Sequence, residues 1–345
     1  MAKRVRVGQT SAGPFYTLPG NSAELRNEAG ELTDTIFGQE FESTESGLIG
    51  YTINSNALYK GFAGYVVNLM KGGVPATLTD AAMSQVGATK TYVVTDTSKS
   101  RLDPATPIVV KDNAVDKTAE VESIDFLFGK VTFKSSYTVT GPVTISGKSI
   151  PVTAIAGAKS FTLTQTAAAI DNTDIPTAKG NGGFRTFEYG LKTVSLEMSG
   201  IYKASNGFVT ALKSREPIFV EINPDGSNLS VCRGIFKYTS QGQSGDVGAL
   251  EEETVALRLN VLDNDLWARP FGWEHSALTT LNQGIRIALN SWENNQLIYM
   301  HYLPDGSTGF GGDAVVTDLS LAGGLEVMNE FTFNVQGSGA PVAIP

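Results

Sequence analysis

The chain repeats itself, and it does so in two separate blocks. Phe184 stands 143 residues after Phe41, Gly190-Leu191 after Gly47-Leu48, and Tyr202-Lys203 after Tyr59-Lys60 at the same spacing. Upstream, Thr173-Asp174 follows Thr33-Asp34 by 140, so only the connecting loop has changed length. A second block links later segments. Gly207 with Ala211-Leu212-Lys213-Ser214 matches Gly284 with Ala288-Leu289-Asn290-Ser291 at a distance of 77. The turn Pro224-Asp225-Gly226-Ser227 matches Pro304-Asp305-Gly306-Ser307 at 80, and Glu253 with its strand matches Glu330 at 77. Spacings that drift only at turns are the mark of one duplicated structural unit, and Pro-Asp-Gly is itself a turn former.

Between the turns the pattern has period two. Ile218–Ile222, Thr254–Leu259, Leu297–Tyr302 and Phe331–Val335 alternate apolar and polar residues between Gly, Asn and Asp, which predicts half-buried strands. Helical spacing is sparse: Gly207–Lys213 and Gly284–Asn290 predict about two turns each, and Ala81–Gln85 a shorter one. The fold class expected is mainly β with a few short helices. Two arrangements account for the repeats. In the first, favoured because the late half otherwise lacks its hairpin, residues 1–73 and 264–345 are two halves of one unit split around a second unit at 149–263. In the second, the early half is completed from residues 73–150. Residues 74–148 read as a small inserted β module with strands at Thr91–Asp96, Pro107–Lys111, Gly129–Phe133 and Tyr137–Thr140.

Composition narrows the function. A chain of 345 residues with 41% hydrophobic and 18% charged residues can bury more than one core. Its 26 basic residues against 35 acidic ones give a net charge of -9, which disfavours a dedicated phosphate binder but not a wall past which nucleic acid slides. Cys232 is the only cysteine, so an intrachain disulfide is impossible; within Leu229–Gly234 it reads as a small buried hydrophobe. Basic residues open the chain at Lys3, Arg4 and Arg6, but no apolar run of signal or bilayer length follows, and no membrane association is expected.

Chemistry is hard to find in these residues. His275 and His301 are expected at solvent-facing positions, the second in a strand where its repeat counterpart is Glu221. Gly180–Gly183 and Gly309–Gly312 are glycine-rich without a strand-to-helix context and read as flexible loops, not phosphate cradles. Glu251-Glu252-Glu253 reads as an acidic strand entrance. Trp267, Trp273 and Trp292 with Tyr299 and Phe271 could form a carbohydrate platform, but aromatics beside strands more often fill cores or subunit interfaces. The expectation is no enzyme, with no catalytic residue, no cofactor site and no metal site.

The succession Thr173-Asp174, Phe184, Gly190–Ser195, Tyr202, a short helix, a paired strand, then Gly245–Thr254 and a closing strand resembles the major tail tube proteins of long-tailed bacteriophages. Thr33–Gly38 and Gly47–Tyr51 resemble the opening hairpin of the same family. The resemblance covers most of 1–72 and 150–345 and implies β-sandwich units, each with a flanking helix, whose strands join across subunits into an inner barrel. Six such units complete a ring, so two per chain imply three chains in a pseudo-sixfold ring. Rings stack into a hollow tube in the virion tail, assembled in the host bacterial cytoplasm. The partners implied are the chain itself, the tape-measure protein, the tail terminator and tail-tip proteins, with DNA passing through a lumen expected to be acidic. The loop Gln241–Asp246 would order against a neighbouring ring. The alternatives are another virion β-protein, such as a capsid decoration, or a tail-tip carbohydrate-binding module.

Overall fold

A computed structural model describes residues 4–18, 20–33, 44–59, 66–199, 202–203, 214, 216–224, 230–244, 252–260, 267, 269–275, 283–324 and 329–345. The chain is mainly β, as the alternation predicts. The first segment supplies β1 (Arg4–Gly8), β2 (Tyr16–Thr17), a long hairpin of β3 (Gly20–Thr33) and β4 (Thr44–Tyr59), and β5 (Val66–Gly72). Seven shorter strands follow: β6 (Ala76–Gln85), β7 (Thr91–Val94), β8 (Val109–Asp112), β9 (Val115–Asp116), β10 (Val121–Asp125), β11 (Lys130–Phe133) and β12 (Val143–Ser149). After β13 (Val152–Gly157) comes a second long hairpin, β14 (Ser160–Asp171) and β15 (Phe187–Ser199), with helix α1 (Ile175–Gly180) in its connection. Then follow β16 (Tyr202–Lys203), β17 (Ile218–Asn223), β18 (Ser230–Ser244) and β19 (Glu252–Leu259). The last stretch holds β20 (Phe271–His275), helix α2 (Gln283–Asn294), β21 (Ile298–Leu303), β22 (Gly309–Gly324) and β23 (Asn329–Ile344).

Strands β6 to β12 form a seven-stranded sheet of their own, ordered β10-β11-β7-β6-β12-β8-β9, around Leu102, Val110, Val131, Phe133 and Ile145. All the other strands belong to one sixteen-stranded sheet. Within it the same ladder is built twice. In one set β1 pairs β21, β21 pairs β22, β22 pairs β23, β23 pairs β4 and β4 pairs β3. In the other, β5 pairs β17, β17 pairs β18, β18 pairs β19, β19 pairs β15 and β15 pairs β14.

The irregularities repeat too. The register shifts between Val316 and Asp318 in β22 and between Tyr238 and Ser240 in β18. The extra residue is a threonine each time. Thr317 donates Oγ1–H to the Asn334 carbonyl at 3.1 Å, and Thr239 to the Ala256 carbonyl at 3.0 Å. Both hairpins also shift register at matching places, between Ala29 and Glu31 and between Ala167 and Ala169. Bulges re-aim a strand and add twist, so their repetition bends both copies alike.

One face of the large sheet is apolar. Leu163 on β14 lies between Leu196 on β15 and Leu321 on β22, and Leu319 pairs Phe333; all four leucines and Phe333 are buried. Helix α2 lies against strands of this sheet and buries Ile285, Ala288, Leu289 and Trp292, the spacing of one helical face. Gly284–Asn290 is thus helical as expected. The other predicted helix, Gly207–Lys213, and the turn residues Asp225–Ser227 lie outside the described residues, as do Lys3 and Glu251.

Four local expectations fail. Ala81–Gln85 is strand, not helix: it lies within β6, paired with β12 and β7, with Met83 buried. Five residues are too few for periodicity to separate the two. Tyr137–Thr140 is not a strand. The Asp112 carboxylate instead holds it in irregular form, accepting from Tyr137 Oη, the Thr140 amide and the Gly141 amide at 2.7–2.8 Å. Gly309–Gly312 is not a loop but the start of β22, paired on both edges. Of the loop expected at Gln241–Asp246, residues Gln241–Ser244 continue β18 against β19, and Gly245-Asp246 lie outside the described residues.

Tyr51 explains Gly312 of β22 and Gly337 of β23. Its buried ring passes over the sheet where β22 meets β23, and Oη donates to the Asp313 carbonyl at 3.0 Å. A Cβ on Gly312 would collide with the Tyr51 hydroxyl, and one on Gly337 would lie inside the ring. Burial first, and then the charge of Asp313, hold the Tyr51 hydroxyl well above its ordinary pKa. Gly337→Ala should therefore lower stability by about 1–3 kcal/mol, the usual cost of overpacking. Combining it with Tyr51→Ala should cost less than the sum of the two single changes, as read from thermal unfolding of all three variants.

Candidate assembly surface

The two ladder sets are joined by one more pairing. Strand β14 runs antiparallel to the far end of β22, from Ser160 opposite Gly324 to Thr166 opposite Asp318. It takes up the edge of β22 just past the stretch that β21 occupies, Phe310 to Ala314. The result is an unbroken run of eight strands, β3-β4-β23-β22-β14-β15-β19-β18.

The two faces of this run differ sharply. Opposite the apolar face, Thr164 lies between Ser195 and Ser320, Thr166 between Thr193 and Asp318, and Asn334 beside Asn54. The hydroxyls bond across strands, as in Thr166 to Thr193 at 2.6 Å. The same face carries Glu24, Glu28, Glu197 and Glu330, but also Arg26, Lys237 and Arg258. Hydroxyls and amides dominate it, and with Asp318 its acidic side chains outnumber the basic ones five to three. It is also concave: a trough of about 540 Å³ is lined by Ser160, Thr162, Glu197, Ser199, Thr254 and Glu330. A curved sheet, polar inside and apolar outside, is an arc of a barrel wall.

Two ion clusters fasten the seven-stranded sheet to β17, β18, β20 and α2, beside this run. Arg101 donates to Glu221 Oε2 at 2.6 Å, and Arg233 Nε donates to the same oxygen at 2.8 Å. All three side chains are largely buried, with relative exposures of 6%, 19% and 13% for Arg101, Glu221 and Arg233. Burial, and then the neighbouring charge of Arg233, pull the Arg101 pKa down to about 10 against the pull of Glu221. In the second cluster Arg269 contacts Asp125 of β10 at 2.8 Å, Glu274 of β20 at 3.1 Å and Glu293 of α2 at 2.7 Å. Lys130 of β11 completes it on Glu274. Burial disfavours the Arg269 charge, but the surrounding carboxylates hold its pKa above the ordinary value; burial pushes Glu293 up. Phe128 lies between the clusters, with the Arg233 and Arg269 guanidinium carbons each 5.2 Å from its ring centre.

The singled-out residues are packed rather than displayed. Trp273 and Trp292 are each 3% exposed and Phe271 is buried, so these aromatics form core instead of a sugar platform. Trp267 packs with Phe219 beneath the seven-stranded sheet, and Cys232 is buried in β18. The histidines are half-buried, each covered by an aromatic ring. His301 stacks on Phe15 with ring centres 3.9 Å apart, and His275 lies parallel to Trp273 at 6.0 Å. Burial, and then the charges of Arg286, Arg269 and Lys130, pull the His275 pKa down to about 4. Gly180–Gly183 is no flexible loop: Gly180 ends α1, and the Gly183 carbonyl accepts from the Ile49 amide at 2.8 Å, pinning this connection to β4.

Among the described residues no three His, Cys, Asp or Glu side chains converge as a metal cage, and no helix is long and apolar enough to cross a membrane. Sequence reasoning missed the bulge threonines, Thr239 and Thr317, and the arginine clusters. The threonines stand 78 residues apart, a spacing visible in the chain once the flanking strands are aligned. No sequence pattern links Arg101 to Glu221.

No protein-family model matches the chain, and no curated protein matches it. Among solved structures it is similar to a chain of the tail of an empty GTA particle with sixfold symmetry, at 17% identity. That likeness covers 32% of this chain and 82% of the other, with a TM-score of 0.28.

Glu221→Gln leaves two buried guanidinium groups without their counter-charge and should cost about 3 kcal/mol, seen as a lowered unfolding temperature. The His275 contribution has a definite sign. An unfolded histidine takes its proton near pH 6.5, whereas the folded side chain resists until about 4. Stability present at neutral pH is therefore lost as pH falls through that window, by at most about 3 kcal/mol. Thermal unfolding at pH 7 and pH 4.5 should show a larger drop for the native chain than for His275→Phe.

Proposed function

We propose that the protein is a structural, non-enzymatic subunit of a phage-type tail tube. Its working surface is the concave polar face of the eight-strand run. One observation carries this reading: the polar lining continues without interruption across the β14·β22 joint between two copies of the same ladder. A wall made this way can be extended by adding further copies edge to edge. In this reading residues 1–73 and 264–345 form one tube unit, 149–263 the other, and 74–148 an insertion clamped to the wall by its arginine clusters.

Three chains then supply six equivalent units, a pseudo-sixfold ring on a true threefold axis, and rings stack into the conduit of a virion tail. Tape-measure, terminator and tail-tip proteins would meet the lumen and the tube ends. DNA would pass a lining rich in hydroxyls and amides whose charges are more acidic than basic, so that phosphate finds little hold outside the one cation pair of Lys237 and Arg258. Leu191 and Ile175, 88% and 86% exposed at the loop end of the β14–β15 hairpin, offer apolar contacts for a stacked ring. The buried tryptophans give the carbohydrate-binding alternative no platform.

Negative-stain microscopy of the purified protein should show hollow tubes or rings, and class averages should resolve a threefold arrangement of whole chains. A strict monomer at high concentration, or a ring of six whole chains, would contradict the reading.

A further inference from the structure

The eight-strand run ends in two edges, and the internal repeat relates them. At one end β3 pairs only with β4 among the described strands. It is a 14-residue edge strand, exposed at Ser22, Glu24 and Arg26–Ala29. At the other end β18, past its bulge, pairs with β19 on one side; β17 covers the opposite side only as far as Phe236. In the first ladder set the matching place on β22 is filled, and β14 fills it. Strand β14 is the counterpart of β3, and β22 the counterpart of β18, by their ladders and by their bulges. The chain therefore contains one completed joint and both halves of a second.

We infer that β3 of one copy pairs antiparallel with the end of β18 in a second copy, in the register of the β14·β22 joint. The register follows from the ladders. Ser195 opposes Thr164 as Thr52 opposes Arg26, so Thr164 corresponds to Arg26; the shared bulges make Asp318 correspond to Ser240. Thr166 opposite Asp318 thus becomes Glu28 opposite Ser240. Thr164 opposite Ser320 becomes Arg26 opposite Gly242, and Thr162 opposite Ala322 becomes Glu24 opposite Ser244.

Charge and shape fit this occupant. Glu28 arrives diagonally beside Lys237, which pairs with Arg258 across β18 and β19, a basic spot that has no ion-pair partner among the described residues. Arg26 arrives opposite a glycine, where its long side chain meets no facing side chain. Where β14 carries threonines inside the chain, β3 carries charges. Charges on an exposed edge suppress pairing with wrong strands and permit it where the opposite charge waits.

This inference rests on the ring reading, and the test separates the two. Glu24→Cys with Ser244→Cys places two cysteines opposite each other across the joint, within disulfide reach of paired strands. Cys232 is buried and takes no part. Mild oxidation of the assembled variant should give reducible species of two and three chain masses and none larger. The pair Glu28→Cys with Ser240→Cys should do the same and guards against a variant that fails to fold. The mismatched pair Glu24→Cys with Ser240→Cys should remain monomeric on the same gel. Rings that form by microscopy without cross-linking in either matched pair would overturn the register and leave the ring standing. Protein that stays folded and monomeric, with no rings and no cross-links, would overturn both.

Discussion

Backbone pairing at a strand edge is the constraint on which this architecture rests. An edge strand presents unmet N–H and C=O groups that no side chain can satisfy in a row, so it must be covered, blunted or paired. Here the chain meets that demand inside itself once, where β14 closes onto the end of β22. That joint converts two ladder sets into one sheet, and the sheet keeps a single apolar side and a single polar side through the junction. Leu163 meets Leu321 on one side of the joint while Thr164 meets Ser320 on the other. A one-residue slip would put leucine among the hydroxyls along the whole joint, so burial itself fixes the register.

Curvature is the second half of the design. The bulges at Thr239 and Thr317 and at the two hairpins recur in both copies, and each threonine ties its bulge to the neighbouring strand. Equal bends in equal copies make an arc that can be continued. The polar inside of the arc needs no large side chains, which matches its threonines, serines and asparagines. Its outside needs many, and is covered by α2 and by the apolar residues of the hairpins.

The seven-stranded sheet is held by a different kind of interaction. Charged groups taken out of water are costly unless matched, and here two arginine-centred clusters match them with four carboxylates around Phe128. Such clusters specify one docking geometry more sharply than an apolar patch would, since a shifted module would strand buried charge. The wall and the module are thus joined by chemistry that tolerates little sliding.

Much of this was legible in the residues. Period-two alternation marked Ile218–Ile222, Thr254–Leu259, Leu297–Tyr302 and Phe331–Val335, because a half-buried strand must alternate. The duplication was legible because matched turns and strand starts survive when loops drift. Short or glycine-rich stretches were not: Ala81–Gln85 and Gly309–Gly312 took their structure from the strands beside them and, in the second case, from the ring of Tyr51 262 residues from its partner Asp313. The residue pattern alone specifies a mainly β chain built twice from one plan. Which edges meet, which face is concave and which arginine finds which carboxylate are settled in the folded chain. Those depend on register and on contacts between segments far apart in the chain, and local pattern carries no information about either.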